Sequence, residues 1–284
     1  MFEKKQLCYN GKYISGESYK FFSENRAFLY GDSIFETIFV SKGKIHFFDE
    51  HTERLIRGMK ILKYEIPDKF TIFKNKLEDE IFSLIAKNKL YKSARVRLTV
   101  FRSSGGLYTP NSNAVDYILT VSDPGHVFYE LNASGYFTDV YKDITKPCNM
   151  FSPFKTANSL LYTLGSIYKK ESDLDDCFIC NEKGNIIESL SSNIFLVINN
   201  KLITPNIEEG CIDGIIRNKV IDFADQFNIE CIEKPIIEND FYSADEIFLT
   251  NSINGIRWVV AYKEKRYFKR YSNFFINKLN ELFF

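Results

Sequence analysis

The feature that most constrains this chain is a lysine and a glutamate, each set in a distinctive segment. Residues 152–158 read Ser-Pro-Phe-Lys-Thr-Ala-Asn, so Lys155 follows a Pro-Phe pair at a strand-to-helix transition, where its amine can reach into a cleft. Residues 185–195 read Asn-Ile-Ile-Glu-Ser-Leu-Ser-Ser-Asn-Ile-Phe, so Glu188 ends a short β-rich run. The chain around both segments reads as mixed strands and helices.

Length and charge exclude several classes of protein. The chain has 284 residues, enough for one large domain or two of ordinary size, and its hydrophobic content of 45% suffices for a buried core. Its formal net charge is zero and no basic stripe is visible, so nothing indicates a nucleic-acid partner. We find no apolar run long enough to span a membrane and no signal peptide at the N-terminus, so we expect a cytoplasmic protein.

Two of the six cysteines, Cys177 and Cys180, form a C-x-x-C pattern that is typical of metal or redox sites. The segment around them reads as a strand, on which residues three apart point to opposite faces. No second C-x-x-C is present to complete a zinc site. We therefore expect buried free thiols and no metal.

Local patterns predict most of the elements. They indicate a hairpin around Asn10, another around Gly43, and strands near 95–101 and 116–121. Asp49 is the predicted N-cap of a helix, and a second helix is predicted over about 70–86. The later elements are a helix after Lys155, four strands near residues 177, 186, 194 and 201, a helix opened by Gly214, and a C-terminal amphipathic helix from about Phe268.

Six sequence blocks together resemble one known family, the fold-type-IV pyridoxal 5'-phosphate (PLP) enzymes, or class-IV aminotransferases. The resemblance covers nearly the whole chain, and the blocks stand in the family's order. Any one block would be weak evidence, whereas all six in order indicate membership. They are 26–37, 51–55, 152–158, 185–195, 213–217 and 244–252.

The resemblance implies a fold, a cofactor and an assembly. The expected fold is α/β (α+β), a two-domain fold-type-IV arrangement like that of D-amino-acid aminotransferase, with PLP in the interdomain cleft. The boundary is expected at the turn-rich residues 122–125, giving an N-terminal α/β domain over 1–122 and a C-terminal α/β domain over 126–284 that carries both Lys155 and Glu188. The family forms homodimers, so we expect one here.

Three residues take cofactor roles by resemblance. The Lys155 amine forms a Schiff base with the PLP aldehyde and later moves the proton of the substrate α-carbon. Glu188 pairs with the pyridine nitrogen and keeps it protonated. Arg54, in the pattern His-x-x-Arg-Leu, contacts the phosphate. The alternatives are a surface lysine, a solvent-facing glutamate, and an arginine paired with Glu50 on its own helix.

Further cofactor contacts are expected around a helix start. Ile215 and Ile216 follow Gly214, so their backbone amides form an anion site at a helix N-terminus. Related enzymes have threonine where Ile216 stands, so one hydroxyl contact is absent. Ser252 corresponds to a further phosphate contact, and Asn193 belongs to the glutamate block. An ordinary loop is the alternative for the helix start and for Ser252.

The substrate contacts are expected from Phe35, Arg102 and Tyr108. Phe35 lies on a strand that lines the pocket by resemblance. Arg102 and Tyr108 flank a Gly105-Gly106 loop, and either could hold a substrate carboxylate or serve the structure alone.

The motif details favour one reaction of the family. The Lys-x-x-Asn pattern, the Thr-Asn-Ser at 250–252, the paired glycines and Ile216 resemble 4-amino-4-deoxychorismate lyase, which makes 4-aminobenzoate and pyruvate for folate synthesis. Leu160 stands where branched-chain enzymes have a cofactor-binding tyrosine. The alternative is an aminotransferase acting on branched-chain or D-amino acids and a 2-keto acid. A PLP-binding protein with little catalysis and an unrelated α/β binding module are hypotheses of other classes.

Overall fold

A computed structural model describes residues 5–16 and 23–283. The first residues of the segment in which no signal peptide is expected, 1–4, lie outside the described part. The chain divides into two compact units. The first comprises Met1–Val127 and Phe154–Asn158, and the second comprises Phe128–Pro153 and Ser159–Phe284. Lys155 therefore belongs to the first unit, whereas the sequence analysis placed it in the C-terminal domain with Glu188.

The first unit is built on a six-stranded sheet with the order β2-β1-β6-β5-β3-β4. Its central strands β6, β5 and β3 pair antiparallel over most of their lengths. Alternate residues of these strands are buried and half-exposed, so that one face is the core and the other carries polar groups. The strands are β1 (Gln6–Tyr9), β2 (Lys12–Ser15), β3 (Ser33–Ser41), β4 (Lys44–Ile45), β5 (Ser93–Arg102) and β6 (Val115–Ser122).

Four helices belong to the first unit, and the two long ones cover the core face of the sheet. In the last of them the buried residues Leu77, Ile81, Leu84 and Ile85 recur at helical spacing, which forms one apolar stripe. The predicted helix over 70–86 is interrupted near Phe73, where a short helix ends and a longer one begins. The helices are α1 (Arg26–Tyr30), α2 (Phe48–Ile61), α3 (Asp68–Thr71) and α4 (Lys74–Lys87).

The start of α2 differs from the prediction. The helix begins at Phe48, and its N-cap is Phe47, which has a left-handed backbone with φ of 56° and makes no side-chain cap hydrogen bond. Asp49 lies inside the first turn, where a negative charge is favourable, and its Oδ1 accepts from Lys74 Nζ at 2.7 Å. Asp49 therefore stabilises the helix start without capping it.

The returning segment Phe154–Asn158 lies along the edge of β3. Phe35 N donates to the carbonyl of Lys155 at 2.8 Å, and Ala157 N donates to the carbonyl of Ser33 at 3.0 Å. Phe154 is buried in the same core cluster as Ile34. A Cβ on Gly58 of α2 would meet Ile34 Cδ1 at 2.2 Å, so glycine permits the close approach of this helix. These contacts, which are not readable from local sequence, assign Lys155 to the first unit.

The second unit contains a nine-stranded sheet that closes on itself. Its order is β12-β11-β10-β13-β14-β7-β8-β9, with β15 on β14, and β9 also pairs with β10. The strands from β10 through β13, β14, β7 and β8 to β9 thus form a ring. They are β7 (Tyr136–Lys146), β8 (Asp176–Asn181), β9 (Ile186–Ser189), β10 (Asn193–Ile198), β11 (Lys201–Thr204), β12 (Cys231–Glu233), β13 (Glu246–Asn251), β14 (Gly255–Tyr262) and β15 (Lys265–Arg266).

The helices of the second unit differ in how much of their apolar face is covered. In the last helix Phe275 and Leu279 are fully buried, whereas in the first Leu160 is 78% exposed. No helix in the described ranges has the length and apolarity needed to cross a membrane. The helices are α5 (Leu160–Glu171), a 3₁₀ turn (Ile207–Glu209), α6 (Ile215–Gln226), α7 (Glu238–Ser243) and α8 (Arg270–Glu281).

Candidate active site

Lys155 lies on the half-exposed face of the first sheet. Its backbone is fixed by the pairing with β3, and its Nζ lies 5.4 Å from the centre of the Phe35 ring. Arg97 of β5 lies on the same face, with its guanidinium carbon 3.6 Å from that centre. The lysine is half-buried. Two cations therefore share one aromatic surface, an arrangement that attracts anions.

A buried ion cluster lies on the opposite, core-facing side of β3. Glu36 accepts from Arg54 Nε at 2.8 Å through one oxygen, and from Arg54 Nη2 at 2.5 Å and His51 Nδ1 at 2.7 Å through the other. All three side chains are at most 2% exposed. The structure thus commits the fork of Arg54 to Glu36. The phosphate contact of Arg54 stays a prediction.

The ionisation of this cluster follows from its contacts. Burial alone would raise the pKa of Glu36, but the charge of Arg54 and the hydrogen bond from His51 lower that pKa to about 2. Burial lowers the pKa of His51 and outweighs the hydrogen bond to Glu36. His51 is therefore neutral at pH 7 and donates through Nδ1. Within residues 5–16 and 23–283 its Nε2 has no hydrogen-bond partner.

Glu188 is the centre of a second buried cluster, which lies in the second unit. Its Oε1 accepts from Lys146 Nζ at 2.7 Å and from the Tyr162 hydroxyl at 2.7 Å. Its Oε2 accepts from the backbone N–H of Ile212 at 2.8 Å. Burial, followed by the nearby negative charge of Glu188, raises the pKa of Tyr162 well above its usual value, so Tyr162 stays a neutral donor.

Strand pairing brings other predicted residues close to Glu188. Asn193 of β10 pairs with Glu188 on one side and with Thr250 of β13 on the other, so the three form a row across the sheet. Asn193 Nδ2 donates to the carbonyl of Ile212 at 2.7 Å. A Cβ on Gly214 would meet Asn193 Oδ1 at 1.9 Å, so only glycine allows α6 to begin this close to the row.

The N-terminus of α6 has the expected form. Gly214 is the N-cap and no side chain caps it, while Ile215 and Ile216 are buried in the first turn. The first amides of a helix have no intrahelical acceptor, so they can bind an anion. Ser252 follows Thr250 by two residues, and its carbonyl accepts from the Tyr129 hydroxyl at 2.8 Å. The hydroxyl of Thr250 is buried and has no partner among the described residues.

The predicted substrate residues have different surroundings. Phe35 lies under Lys155 and Arg97, whereas Tyr108 is 89% exposed and lies beside Tyr30. Arg102 donates from Nε to Asp32 at 2.9 Å and from Nη2 to the carbonyl of Leu62 at 2.7 Å, and its remaining nitrogen donates to Asn113. These contacts favour the structural role of Arg102 over the substrate contact.

The sequence analysis missed three side chains that the structure brings to these clusters: Lys146, Tyr162 and Arg97. A buried glutamate requires a cation or several donors, so partners for Glu188 could have been expected. Lys146 and Tyr162 lie 42 and 26 residues away from Glu188 in sequence, and no local pattern identifies them.

Comparison with known proteins identifies the family. The family model described as amino-transferase class IV matches residues 33–262. A Methanocaldococcus jannaschii protein named "Putative branched-chain-amino-acid aminotransferase" is 30% identical over 249 residues, which are 87% of this chain and 84% of that protein. The aminodeoxychorismate lyase of Vibrio harveyi is 24% identical over 235 residues, 82% of this chain and 83% of that protein.

The chain belongs to the class-IV aminotransferase family. The fold agrees, since a branched-chain amino acid aminotransferase from T.th., complexed with N-(5'-phosphopyridoxyl)-L-glutamate, superposes with a TM-score of 0.85 at 20% identity, covering 99% of this chain and 96% of that one. The resemblance is thereby confirmed, as is the expectation of a PLP-dependent enzyme.

The residues of this class-IV chain fit PLP chemically. Lys155 supplies a half-buried primary amine for the aldehyde. Glu188 accepts three hydrogen bonds, and a carboxylate can accept about four, so one position is left for a ring N–H. The uncapped start of α6 suits the phosphate.

No thiol or metal cluster competes with this chemistry in the described residues. All six cysteines are unpaired, and Cys177 and Cys180 are buried within β8. Burial raises the pKa of Cys177 to about 12, so it is an unreactive thiol. No group of three or more metal-binding side chains occurs over 5–16 and 23–283.

Proposed function

We propose that this class-IV enzyme transfers an amino group from an amino acid to a 2-keto acid, with PLP attached to Lys155. The observation that carries the proposal is the setting of Glu188, an ionisable group held by three donors with one acceptor position left. That setting suits a carboxylate whose task is to hold a protonated ring nitrogen. When PLP is bound, its ring takes up the electrons of the substrate α-carbon bond.

The other residues have roles that follow from their positions. Lys155 removes the proton of the substrate α-carbon and returns a proton to the adjoining atom. The backbone pairing with β3 holds its reach constant, and the face of Phe35 excludes water on one side. The start of α6, with Ile215 and Ile216, and Ser252 bind the phosphate, and Asn193 holds the loop that leads to α6.

We propose Arg97 as the group that binds a substrate carboxylate. It is half-exposed, lies on the face that carries Lys155, and forms no ion pair with a carboxylate of the described residues. Desolvation and the nearby Arg95 lower the pKa of Arg97, which an incoming carboxylate would reverse. Arg97 therefore supports an acidic amino acid, or its keto acid, as one of the two substrates. Tyr108 is proposed at the mouth of the site.

The second candidate is 4-amino-4-deoxychorismate lyase activity. Two observations favour it. Leu160 stands at the place of the cofactor-binding tyrosine of branched-chain enzymes and is exposed, and the nearby Tyr162 hydroxyl binds Glu188. The Vibrio harveyi relative carries the lyase name. Transfer ranks first because a relative of higher identity carries an aminotransferase name and because Arg97 suits an acidic substrate.

One experiment separates the candidates. PLP-loaded protein is mixed with single amino acids in the absence of a keto acid, and the visible absorbance of the bound aldehyde form is followed. A transferase loses that absorbance in one stoichiometric turnover and regains it when a 2-keto acid is added. A lyase keeps its colour and releases 4-aminobenzoate from 4-amino-4-deoxychorismate over many turnovers. Absence of both results would reject both candidates.

We also propose a cytoplasmic homodimer, as the family resemblance implies. Light scattering on the purified protein tests the assembly, and a monomer would contradict it.

A further inference from the structure

We propose that Lys146 is a positioning residue that keeps Glu188 ionised and oriented toward the ring nitrogen of the cofactor. The inference rests on the proposed function, because it gives Glu188 a task there. Lys146 is not in any of the sequence blocks that carry the family resemblance. It would act through Glu188 and would not touch the reacting atoms.

The contacts of Lys146 are those of a buried counter-ion. It is the last residue of β7 and is 8% exposed. Its Nζ lies 2.7 Å from Glu188 Oε1 and 3.1 Å from the carbonyl oxygen of Ser152. A buried ammonium carries three donors and no acceptor, so it must be paired. The pair is fixed from both sides, since Glu188 itself lies on β9.

The hydrogen bonds define which oxygen remains available. Two donors, Lys146 and Tyr162, occupy Glu188 Oε1. A single donor, the backbone N–H of Ile212, occupies Oε2. With two lone pairs on each oxygen, the position that remains belongs to Oε2. Ile212 lies two residues before Gly214, so the same segment orients the carboxylate and begins the anion site of α6.

Charge compensation of Glu188 depends on Lys146 alone among the described groups that contact it. Tyr162 is a neutral donor, and the Ile212 amide is a dipole. The nearby Cys211 thiol is also uncharged, since burial and then the charge of Glu188 raise its pKa to about 12. Without Lys146 the buried carboxylate would take up a proton. A carboxylic acid donates where a carboxylate accepts, so the ring nitrogen would lose its proton partner.

A purely structural reading is available, because the same lysine also ties Ser152 to the end of β7. The two readings differ in what an arginine would restore and in whether the ring nitrogen changes. An ion pair that merely closes the loop would alter stability and leave the protonation of the bound cofactor unchanged.

The test uses holoenzyme prepared with ¹⁵N-PLP and ¹³C-carboxyl glutamate, so that NMR reports on both partners. The variants are Lys146→Met, Lys146→Arg and, as a control, Lys183→Met, whose side chain is 64% exposed and pairs with Glu209 at 3.2 Å. In Lys146→Met we expect the ring nitrogen to move to its unprotonated shift and the Glu188 carboxyl to titrate at higher pH. Turnover should fall about 10- to 100-fold, the range seen when a group that orients a ligand is lost.

Lys146→Arg should restore most of the protonated ring signal, and Lys183→Met should resemble the unchanged protein. Wild-type ring and carboxyl signals in Lys146→Met would overturn the inference. Failure of the unchanged protein to bind PLP would reject the proposed function instead, and the carboxyl titration would still decide whether Lys146 keeps Glu188 ionised.

Discussion

The two buried carboxylates of this protein, Glu36 and Glu188, each accept three hydrogen bonds, yet they are built differently. The donors to Glu36 come from His51 and Arg54, three residues apart on one helix. The donors to Glu188 come from a strand end, a helix and a loop that are far apart in sequence. A cluster made by one helix is formed as soon as that helix packs, whereas a cluster made by three segments requires the completed sheet.

The difference indicates a division of tasks. Arg54 binds Glu36 with a bidentate fork, which leaves the carboxylate saturated and suited to fixing α2 on the sheet. Glu188 is held by single contacts and retains an acceptor position, which suits a group that must bind something else. We therefore expect changes at Glu36 to act mainly on stability and changes at Glu188 mainly on activity.

The largest effect is expected at the residue that neither carboxylate can replace. Lys155→Ala removes the amine that binds the cofactor aldehyde, so turnover should fall by at least about 10³-fold. Steady-state kinetics measure the loss, and Lys142→Ala, at an exposed lysine, is the control. Near-normal turnover of Lys155→Ala would refute the assignment of the reactive lysine.

Glu36→Gln tests the stability side of the comparison. Breaking one partner of a buried ion pair leaves the other charge uncompensated, so the free energy of unfolding should fall by about 3–5 kcal/mol. Urea unfolding measures it. The control Glu230→Gln removes an exposed partner of Lys201 and should change stability by less than about 1 kcal/mol. Equal losses in the two variants would contradict the comparison.

Glu188→Ala tests the activity side. The protein should still bind PLP through Lys155, but turnover should fall about 10²- to 10³-fold, because the group that stabilises the ring charge is lost. Equilibrium dialysis with PLP and steady-state kinetics separate binding from turnover. Unchanged turnover with bound PLP would remove Glu188 from the site.

The pH dependence of stability sharpens the contrast further. The pKa of Glu36 is lowered in the folded protein from its usual 4.5 to about 2. Its contribution is therefore complete above pH 4.5 and is lost as the pH falls toward 2. His51, whose folded pKa is also lowered, acts in the same direction below its usual value of 6.5. Unfolding curves from pH 7 to 3 should show falling stability, and Glu36→Gln should flatten the acid part of that slope.

The smallest effect is expected at Tyr162. Tyr162→Phe removes one neutral donor to Glu188 and keeps Lys146, so turnover should fall by a factor of about 5–30, which corresponds to about 1–2 kcal/mol. Tyr242→Phe, at an exposed tyrosine, is the control. A loss as large as that of Glu188→Ala would mean that the hydroxyl, and not the ammonium, determines the state of the carboxylate.

The same contrast explains how far the sequence could be read. The blocks around Lys155 and Glu188 identified the family and the cofactor, and the pattern of strands and helices was largely correct. The helix opened by Gly214 was predicted because its start is a local signal. The N-cap of α2 was wrong because Phe47 adopts a left-handed backbone that no residue preference announces.

Long-range partners were beyond the sequence. Lys146 and Tyr162 meet Glu188 only because β7, α5 and β9 belong to one folded unit. The assignment of Lys155 to the first unit likewise depends on strand pairing over more than a hundred residues, between 155–157 and 33–35.

That pairing has a consequence for anyone who would divide this gene. The stretch that carries Lys155 is encoded between two segments of the second unit, yet its backbone partners lie near residue 35. A fragment ending at Val127 would leave the edge of β3 uncovered, and the complementary fragment would carry the lysine without the strand that fixes it. Exchange of whole units between relatives must therefore keep residues 33–35 and 154–158 from the same parent.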